Sequence, residues 1–180
     1  IDEDKQASMA RTAERKHAIA ARGLRRAVEH WGLDPADILF DPLVLPISTG
    51  MESDRRSALE LVDGIRRISQ AFPDSQTVVG LSNVSFGLSP AARLVLNSAF
   101  LHELRGAGLT GAIVHAGKIL PQNKIPDEQW NAALELIYDR RGGGADPLAA
   151  FIDLFKDATV ASTKKEVKNL SLEEKLRAHI

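Results

Sequence analysis

Apolar and small side chains recur along the chain at two spacings: a period of three to four residues, and short continuous runs. The first spacing is typical of amphipathic helices, and the second is typical of strands buried in a sheet. The helical spacing predicts helices over residues 8–31, 53–71, 89–106, 127–140 and 146–156. The continuous runs predict strands over residues 37–41, 77–81 and 112–115.

Local signals support several of these boundaries. In the first helix the apolar stripe extends from Ala13 to Trp31, and Gly32 is a suitable end. Ser89 and Pro90 supply an N-cap and a first-turn proline for the third helix. Residues 157–170 are polar and contain lysines, which predicts a linker, and SLEE at 171–174 is a capping-box pattern that predicts a final helix.

Helices and strands alternate strictly, which is the order of parallel βαβ units. Such units either close into a TIM barrel or form a doubly wound sheet, and three strands complete neither. We therefore expect an α/β fold in which most of the sheet lies upstream of Ile1, in a longer polypeptide.

Composition limits the classes of function. With 180 residues, of which 44% are hydrophobic, the chain has the size of one domain or of part of a larger one. A net charge of -1 does not suggest a nucleic-acid or membrane partner. The absence of cysteine excludes disulfides and thiolate metal sites, and favours an intracellular, cytoplasmic location. No apolar run approaches the roughly 20 residues that span a bilayer.

Polar side chains stand at the end of every predicted strand: Asp41 after the first, Ser82 and Asn83 after the second, and His115 after the third. The carboxyl ends of parallel strands form the site in such folds. A carboxylate accepts two hydrogen bonds side by side, which suits an amidine-like edge or a guanidinium. An uncharged asparagine suits the orientation of a heterocycle nitrogen better than the role of a base. Arg93, in the first turn of the next helix, faces the same edge.

The same strand ends carry a family signature. The chain resembles the methyltetrahydrofolate-binding barrel of the cobalamin-dependent methionine synthases in FDPL at 40–43, PISTG at 46–50, GLSNVSFG at 80–87, LNSAFL at 96–101 and AIVHA at 112–116. The tail LSLEEKLRAHI at 170–180 is similar to the segment where those enzymes enter their cobalamin-binding region. The resemblance implies a partial TIM barrel: residues 1–156 form its last three βα units, and 157–180 form a linker and the first helix of the cobalamin-binding cap.

The resemblance also implies an activity, the transfer of a methyl group from 5-methyltetrahydrofolate to cob(I)alamin and then to homocysteine. Asp41 matches the aspartate that binds the amino-pyrimidine edge of the pterin. Asn83 matches the catalytic asparagine beside the methyl-bearing nitrogen, and Arg93 matches an arginine of the folate site. Ser82 and His115 complete the expected pterin-binding set, and some relatives have Asn at the position of His115.

Several cofactors and partners follow from the same resemblance. The cobalt of the corrinoid is the nucleophile, so this barrel needs neither a catalytic nucleophile nor a metal of its own. Cobalamin is bound by a neighbouring domain, and zinc belongs to the homocysteine module of the same polypeptide. We expect 5-methyltetrahydrofolate and these two modules as partners, without nucleic acid or membrane.

Three other interpretations are open. A dihydropteroate synthase shares the pterin barrel but needs a Ser-x-Arg near its end, and none follows the third strand here. A stand-alone corrinoid methyltransferase would have no use for the cap-like residues within 157–180. A non-catalytic docking module with a degenerate site would not require Asp41 and Asn83.

Overall fold

The computed structural model describes residues 9–144 and 146–156, which form a parallel sheet with helices packed on one of its faces. The helices are α1 Ala13–Trp31, α2 Ser57–Ala71, α3 Pro90–Gly106, α4 Asp127–Ile137 and α5 Pro147–Leu154. The strands are β1 Leu39–Phe40, β2 Gln76–Gly80 and β3 Gly111–Ile113. Short 3-10 helices lie at Pro35–Asp37, Leu81–Ser85, Ala116–Lys118, Gln122–Lys124 and Gly142–Gly144.

Capping residues set the helix boundaries. The Thr12 side chain accepts a hydrogen bond from the Arg15 N–H, so α1 begins at Ala13 rather than at residue 8. Gly32 ends α1 in the left-handed conformation, with φ of 65°. The prediction for α3 is confirmed, because Ser89 caps it and Pro90 is its first residue.

The three strands are parallel, in the order β1-β2-β3, as their alternation with helices predicts. Leu39 pairs with Gln76 at one side of β2, and Val78 and Gly80 pair with Gly111 and Ile113 at the other. The Thr110 hydroxyl strengthens the β2–β3 contact, since it accepts from the Thr77 N–H and donates to the Thr77 carbonyl, both at 2.8 Å.

The core lies between one face of the sheet and the helices. Val79 points into it from β2 and is fully buried. Fully buried side chains from four helices meet it there: Ile65, Leu96, Phe100, Ile137 and Phe151. The segment LNSAFL in α3 is largely buried because this helix packs against both α4 and the 3-10 helix after β2.

The opposite face of the sheet has no helix against it among the described residues. Side chains alternate between the faces of a strand, so Leu39, Val78 and Ile113 share this second face. Leu39 is 57% exposed and Ile113 71% exposed. We refer to it below as the uncovered face. A parallel sheet normally has both faces covered, so the uncovered face is a site for further structure.

The two halves of α1 differ in burial. Trp31 belongs to the apolar stripe in the sequence, but its side chain is 63% exposed. The buried residues of α1 are Ala13, Lys16 and Ala20, so its first half is the more deeply packed one. The exposed indole instead contacts neighbours on its own helix, including the guanidinium of Arg26 at 5.8 Å.

The expected linker over 157–170 and the expected final helix from Ser171 lie outside the described residues. Within the described part of the chain, no helix combines the length and apolar character that crossing a membrane requires.

Candidate functional site

The loops that follow the three strands lie at one edge of the sheet, because the strands are parallel. We call this edge the mouth, and it consists of residues 41–56 after β1, 81–89 after β2 and 114–126 after β3. Sequence reasoning places four of its candidate residues here, at strand ends, and the fifth, Arg93, next to the mouth in the first turn of α3.

Asp41 opens the first mouth loop, and its side chain is exposed. One of its carboxylate oxygens accepts a hydrogen bond from the Leu43 N–H at 3.0 Å. This bond closes a tight turn across Pro42. Leu43 occupies the left-handed region with φ of 65°, which few residues other than glycine adopt. The backbone of this turn is strained, and the turn fixes the carboxylate at the end of β1.

Ser82 and Asn83 lie on a 3-10 helix that follows β2 directly. Residues three apart share a face of a 3-10 helix, and here Leu81 and Val84 turn that face into the core, where both are at most 1% exposed. Ser82 and Asn83 are left exposed at the mouth. The apolar residues on either side thus anchor the asparagine and direct it outward.

Three hydrogen bonds join this turn to the Asp41 loop. The Asn83 side-chain N–H donates to the Val44 carbonyl at 2.5 Å. The Ile47 N–H donates to the Val84 carbonyl at 3.1 Å. The Ser48 hydroxyl donates to the carbonyl of Phe86, at the end of the same turn. The structure therefore brings the Asp41 loop and the Asn83 turn together as one unit.

Arg93 supports the turn from α3. Its guanidinium donates to the Ser82 carbonyl at 3.2 Å. The buried Ser85 hydroxyl lies between the same carbonyl, at 3.2 Å, and the Asn97 side-chain oxygen, at 2.8 Å. Arg93 is half-buried, so part of its surface remains at the mouth.

His115 stands apart from the other candidates. It is exposed and precedes the 3-10 helix Ala116–Lys118, with its carbonyl accepting from the Lys118 N–H at 2.9 Å. Within the described residues, its side chain forms no hydrogen bond with Asp41, Asn83 or Arg93.

Two buried charged residues lie beneath the mouth. Asp54, 5% exposed, accepts hydrogen bonds from Arg11 at 2.8 Å and Thr49 at 2.9 Å, and the Arg11 bond lowers the pKa of its carboxyl below the ordinary value. Lys16, 3% exposed, donates to main-chain carbonyls of the Asp41 loop. Burial lowers the pKa of the Lys16 ammonium to about 8.

Sequence reasoning missed both of these residues. For Lys16 a signal exists, since it follows Ala13 by three residues and precedes Ala20 by four, which places it in the apolar stripe of α1. For Asp54 no signal exists, because its charged partner, Arg11, lies 43 residues away in the chain. Across residues 9–144 and 146–156, no three His, Asp or Glu side chains are grouped so as to hold a metal ion.

Comparison with known proteins places this site in context. The family model described as pterin binding enzyme matches residues 2–115, a span that contains all three strands and ends at His115. The chain is similar over its whole length to the methionine synthase of Mycobacterium tuberculosis (strain ATCC 25618 / H37Rv), at 50% identity, and to that of Mycobacterium leprae (strain TN), at 48%. The chain spans 15% of the length of each of these curated relatives.

Proposed function

Because the chain belongs to the pterin binding enzyme family, we propose that its mouth binds 5-methyltetrahydrofolate for methyl transfer to cob(I)alamin and then to homocysteine. The two relatives named methionine synthase support the same activity for the polypeptide of which this chain is a part. The single observation that carries the proposal is that hydrogen bonds join the Asp41 loop to the Asn83 turn.

Asp41 is the residue proposed to bind the pterin. The amino-pyrimidine edge of a pterin presents two N–H donors side by side, and a carboxylate accepts two such bonds together. Its exposure and its fixed turn support this role, since a preorganised acceptor loses little freedom when the ligand arrives.

Asn83 is the residue proposed to act on the methyl-bearing nitrogen. A tertiary amine is a poor leaving group, so its nitrogen must be protonated or hydrogen-bonded as the bond to the methyl group breaks. The Asn83 amide can offer either its oxygen or its N–H to that nitrogen, and can therefore follow the change in charge. The N–H that now reaches the Val44 carbonyl would exchange that partner for the ligand.

Three further residues complete the proposed site. The Arg93 guanidinium, half-buried against the Ser82 carbonyl, is suited to an anionic or carbonyl group of the folate. Ser82 presents its exposed side chain beside Asn83. His115 is assigned to the pterin-facing set only because it lies at the end of β3.

The rest of the activity is assigned to other parts of the polypeptide. We propose that β1, β2 and β3 are the sixth, seventh and eighth strands of a TIM barrel, with residues 1–156 as its last three units. Residues 157–180 would then lead into the cobalamin-binding region. Cobalamin, when bound by that region, supplies the nucleophile, and zinc in the homocysteine module activates the final acceptor. The enzyme would be cytoplasmic.

The test compares two substitutions in the complete polypeptide. Asn83→Ala should keep 5-methyltetrahydrofolate binding within a few-fold while methyl transfer to cob(I)alamin falls about 100-fold, because only the transition state loses a hydrogen bond. Asp41→Asn should weaken binding by about tenfold or more, because a charge-assisted pair becomes a neutral one. Binding is measured by titration and transfer by the absorbance of the corrinoid.

The control is Asn131→Ala, which removes an exposed amide from α4, and it should change neither quantity. Transfer at the wild-type rate in Asn83→Ala would refute the role of that residue. Wild-type affinity in Asp41→Asn would refute the pterin site itself.

A further inference from the structure

Lys16 is a buried ammonium directly beneath the first mouth loop. Its three N–H donors are all used on main-chain carbonyls: Ala10 at 2.8 Å, Pro42 at 2.7 Å and Leu43 at 3.2 Å. Two of these carbonyls belong to the residues that immediately follow Asp41. No described carboxylate forms an ion pair with it, so its ammonium interacts directly only with the main chain.

The helices are fitted to this side chain. Gly64 of α2 lies against it, and a Cβ at that position would come within 2.8 Å of the Lys16 Cδ. A buried ammonium costs much more free energy than an apolar side chain in the same place. If the contact between α1 and α2 were the only requirement, a methionine or leucine would serve it better. The need for a charged side chain at this position is therefore explained by the three carbonyls that the ammonium binds.

Two of those carbonyls, those of Pro42 and Leu43, belong to the turn that holds Asp41. The Leu43 N–H donates to the Asp41 carboxylate, and the Leu43 carbonyl accepts from Lys16. The residue in the left-handed conformation is therefore held at both of its main-chain polar groups. Without the ammonium, the strained turn would lose the contacts that oppose its relaxation.

We propose that Lys16 is a positioning residue for pterin binding, because its ammonium holds the Asp41 turn in the orientation in which the carboxylate meets the ligand. The inference rests on the proposed function, in which Asp41 binds the pterin. Lys16 itself lies beneath the loop and touches no ligand.

The charges around Lys16 define how its effect varies with pH. Glu60 faces it from α2 and Asp41 from the mouth loop, and both raise its pKa, while Arg11, which precedes α1, lowers it. Burial outweighs the two carboxylates and lowers the pKa to about 8. The ammonium is therefore mostly present near pH 7 and mostly lost by pH 9, within the range in which the protein can be studied.

The experiment measures 5-methyltetrahydrofolate affinity in the complete polypeptide for wild type, Lys16→Met, Asp41→Asn and the double variant. Lys16→Met should weaken binding about tenfold at pH 7, with methyl transfer at saturating folate nearly unchanged. In the Asp41→Asn background the same substitution should cost less than about twofold, because Lys16 acts through that carboxylate. The matched control is Ile65→Val, which removes one methyl group from a fully buried side chain of α2 that forms no hydrogen bond with the loop.

The wild-type protein supplies an independent test that needs no variant. Its affinity should fall several-fold between pH 7 and pH 9, and Lys16→Met should lack this dependence. Folding stability should change in the opposite direction. The folded pKa lies below the unfolded value of 10.5, so the unfolded chain binds more protons and stability rises from about pH 8 upward.

The outcomes separate the two proposals. If Asp41→Asn binds as wild type does, the proposed pterin site fails. If Asp41→Asn weakens binding while Lys16→Met does not, only the positioning role fails. The positioning role would also fail if the affinity losses of Lys16→Met and Asp41→Asn added in full in the double variant. It would fail equally if Ile65→Val lost as much affinity as Lys16→Met. A wild-type affinity that is flat between pH 7 and pH 9 would likewise overturn it, even if Lys16→Met does not fold.

Discussion

Asp54 shows what a single buried carboxylate contributes to the first mouth loop. It joins Arg11, ahead of α1, to Thr49 in the loop, and its own backbone N–H bonds to the Met51 carbonyl at 3.0 Å. Asp54→Ala should therefore lower the free energy of unfolding by about 2–3 kcal/mol, because a buried charged hydrogen bond is lost and its partners are left unpaired. Chemical denaturation of the complete polypeptide, followed by a probe in this module, measures the change.

The matched control is Asp63→Ala, which removes the exposed i,i+3 pair with Arg66 on α2. That pair is solvated at both ends, so its loss should cost less than about 0.5 kcal/mol. Equal effects of the two substitutions would show that the Asp54 cluster does not organise the loop. Because the folded pKa of Asp54 is lowered, its contribution is present above about pH 4 and is lost as the pH falls below that value.

At this scale the sequence predicted the positions of Asp41 and Asn83 but not their supports. Both follow short strands, and strand ends can be recognised from a polar residue after an apolar run. Lys16 and Asp54 each have one partner far away in the chain, at 26 residues for Lys16 and 43 for Asp54, and single-sequence patterns contain no information about such contacts. The hydrogen bond between Asn83 and the Val44 carbonyl is of the same kind, since it spans 39 residues.

Among the elements, the junction between α3 and β3 provides a sharp contrast between two glycines. Gly108 has φ of 107°, and a Cβ there would lie 2.4 Å from the Ser69 hydroxyl. Gly108→Ala should destabilise the fold by about 2 kcal/mol or more, since backbone strain adds to the steric overlap. The loss should be visible as a lower midpoint of thermal unfolding.

Gly106 is the matched control for this junction. It is the last residue of α3, its backbone is not in the left-handed region, and a Cβ there would meet no atom within 4 Å. Gly106→Ala should therefore be neutral or stabilise the protein by up to about 1 kcal/mol, because alanine favours the helix. If both alanines were equally tolerated, the left-handed turn would not be required for β3 to enter the sheet.

The elements themselves were largely predictable, and the exceptions have physical causes. Helical spacing located five helices within the described residues, and the apolar stripes of α2 to α5 pack on one core. The exposure of Trp31 at the end of α1 could not be predicted, because a stripe in the sequence does not reveal which part of a helix finds a partner. The 3-10 helix after β2 was not predicted, since its five residues are too few to show a period.

For the whole molecule, the central feature is the uncovered face of the sheet. Leu39 and Ile113 are large apolar side chains that are mostly exposed there, and β1 and β3 each pair only with β2 among the described residues. Sheet edges and apolar faces of this kind promote association between chains. A TIM barrel would place the same face in its interior, packed against side chains from other strands.

The two environments predict opposite effects of one substitution. Expressed alone, the 180-residue chain should self-associate, and Leu39→Lys should shift it toward the monomer in sedimentation experiments. In the complete polypeptide, Leu39→Lys should instead destabilise the barrel by several kcal/mol, because a lysine would be buried without a partner. Ile152→Lys is the control: this exposed residue of α5 should be tolerated in both settings. Tolerance of Leu39→Lys in the complete polypeptide would mean that this face remains in solvent, and the three strands could not then line the interior of a barrel.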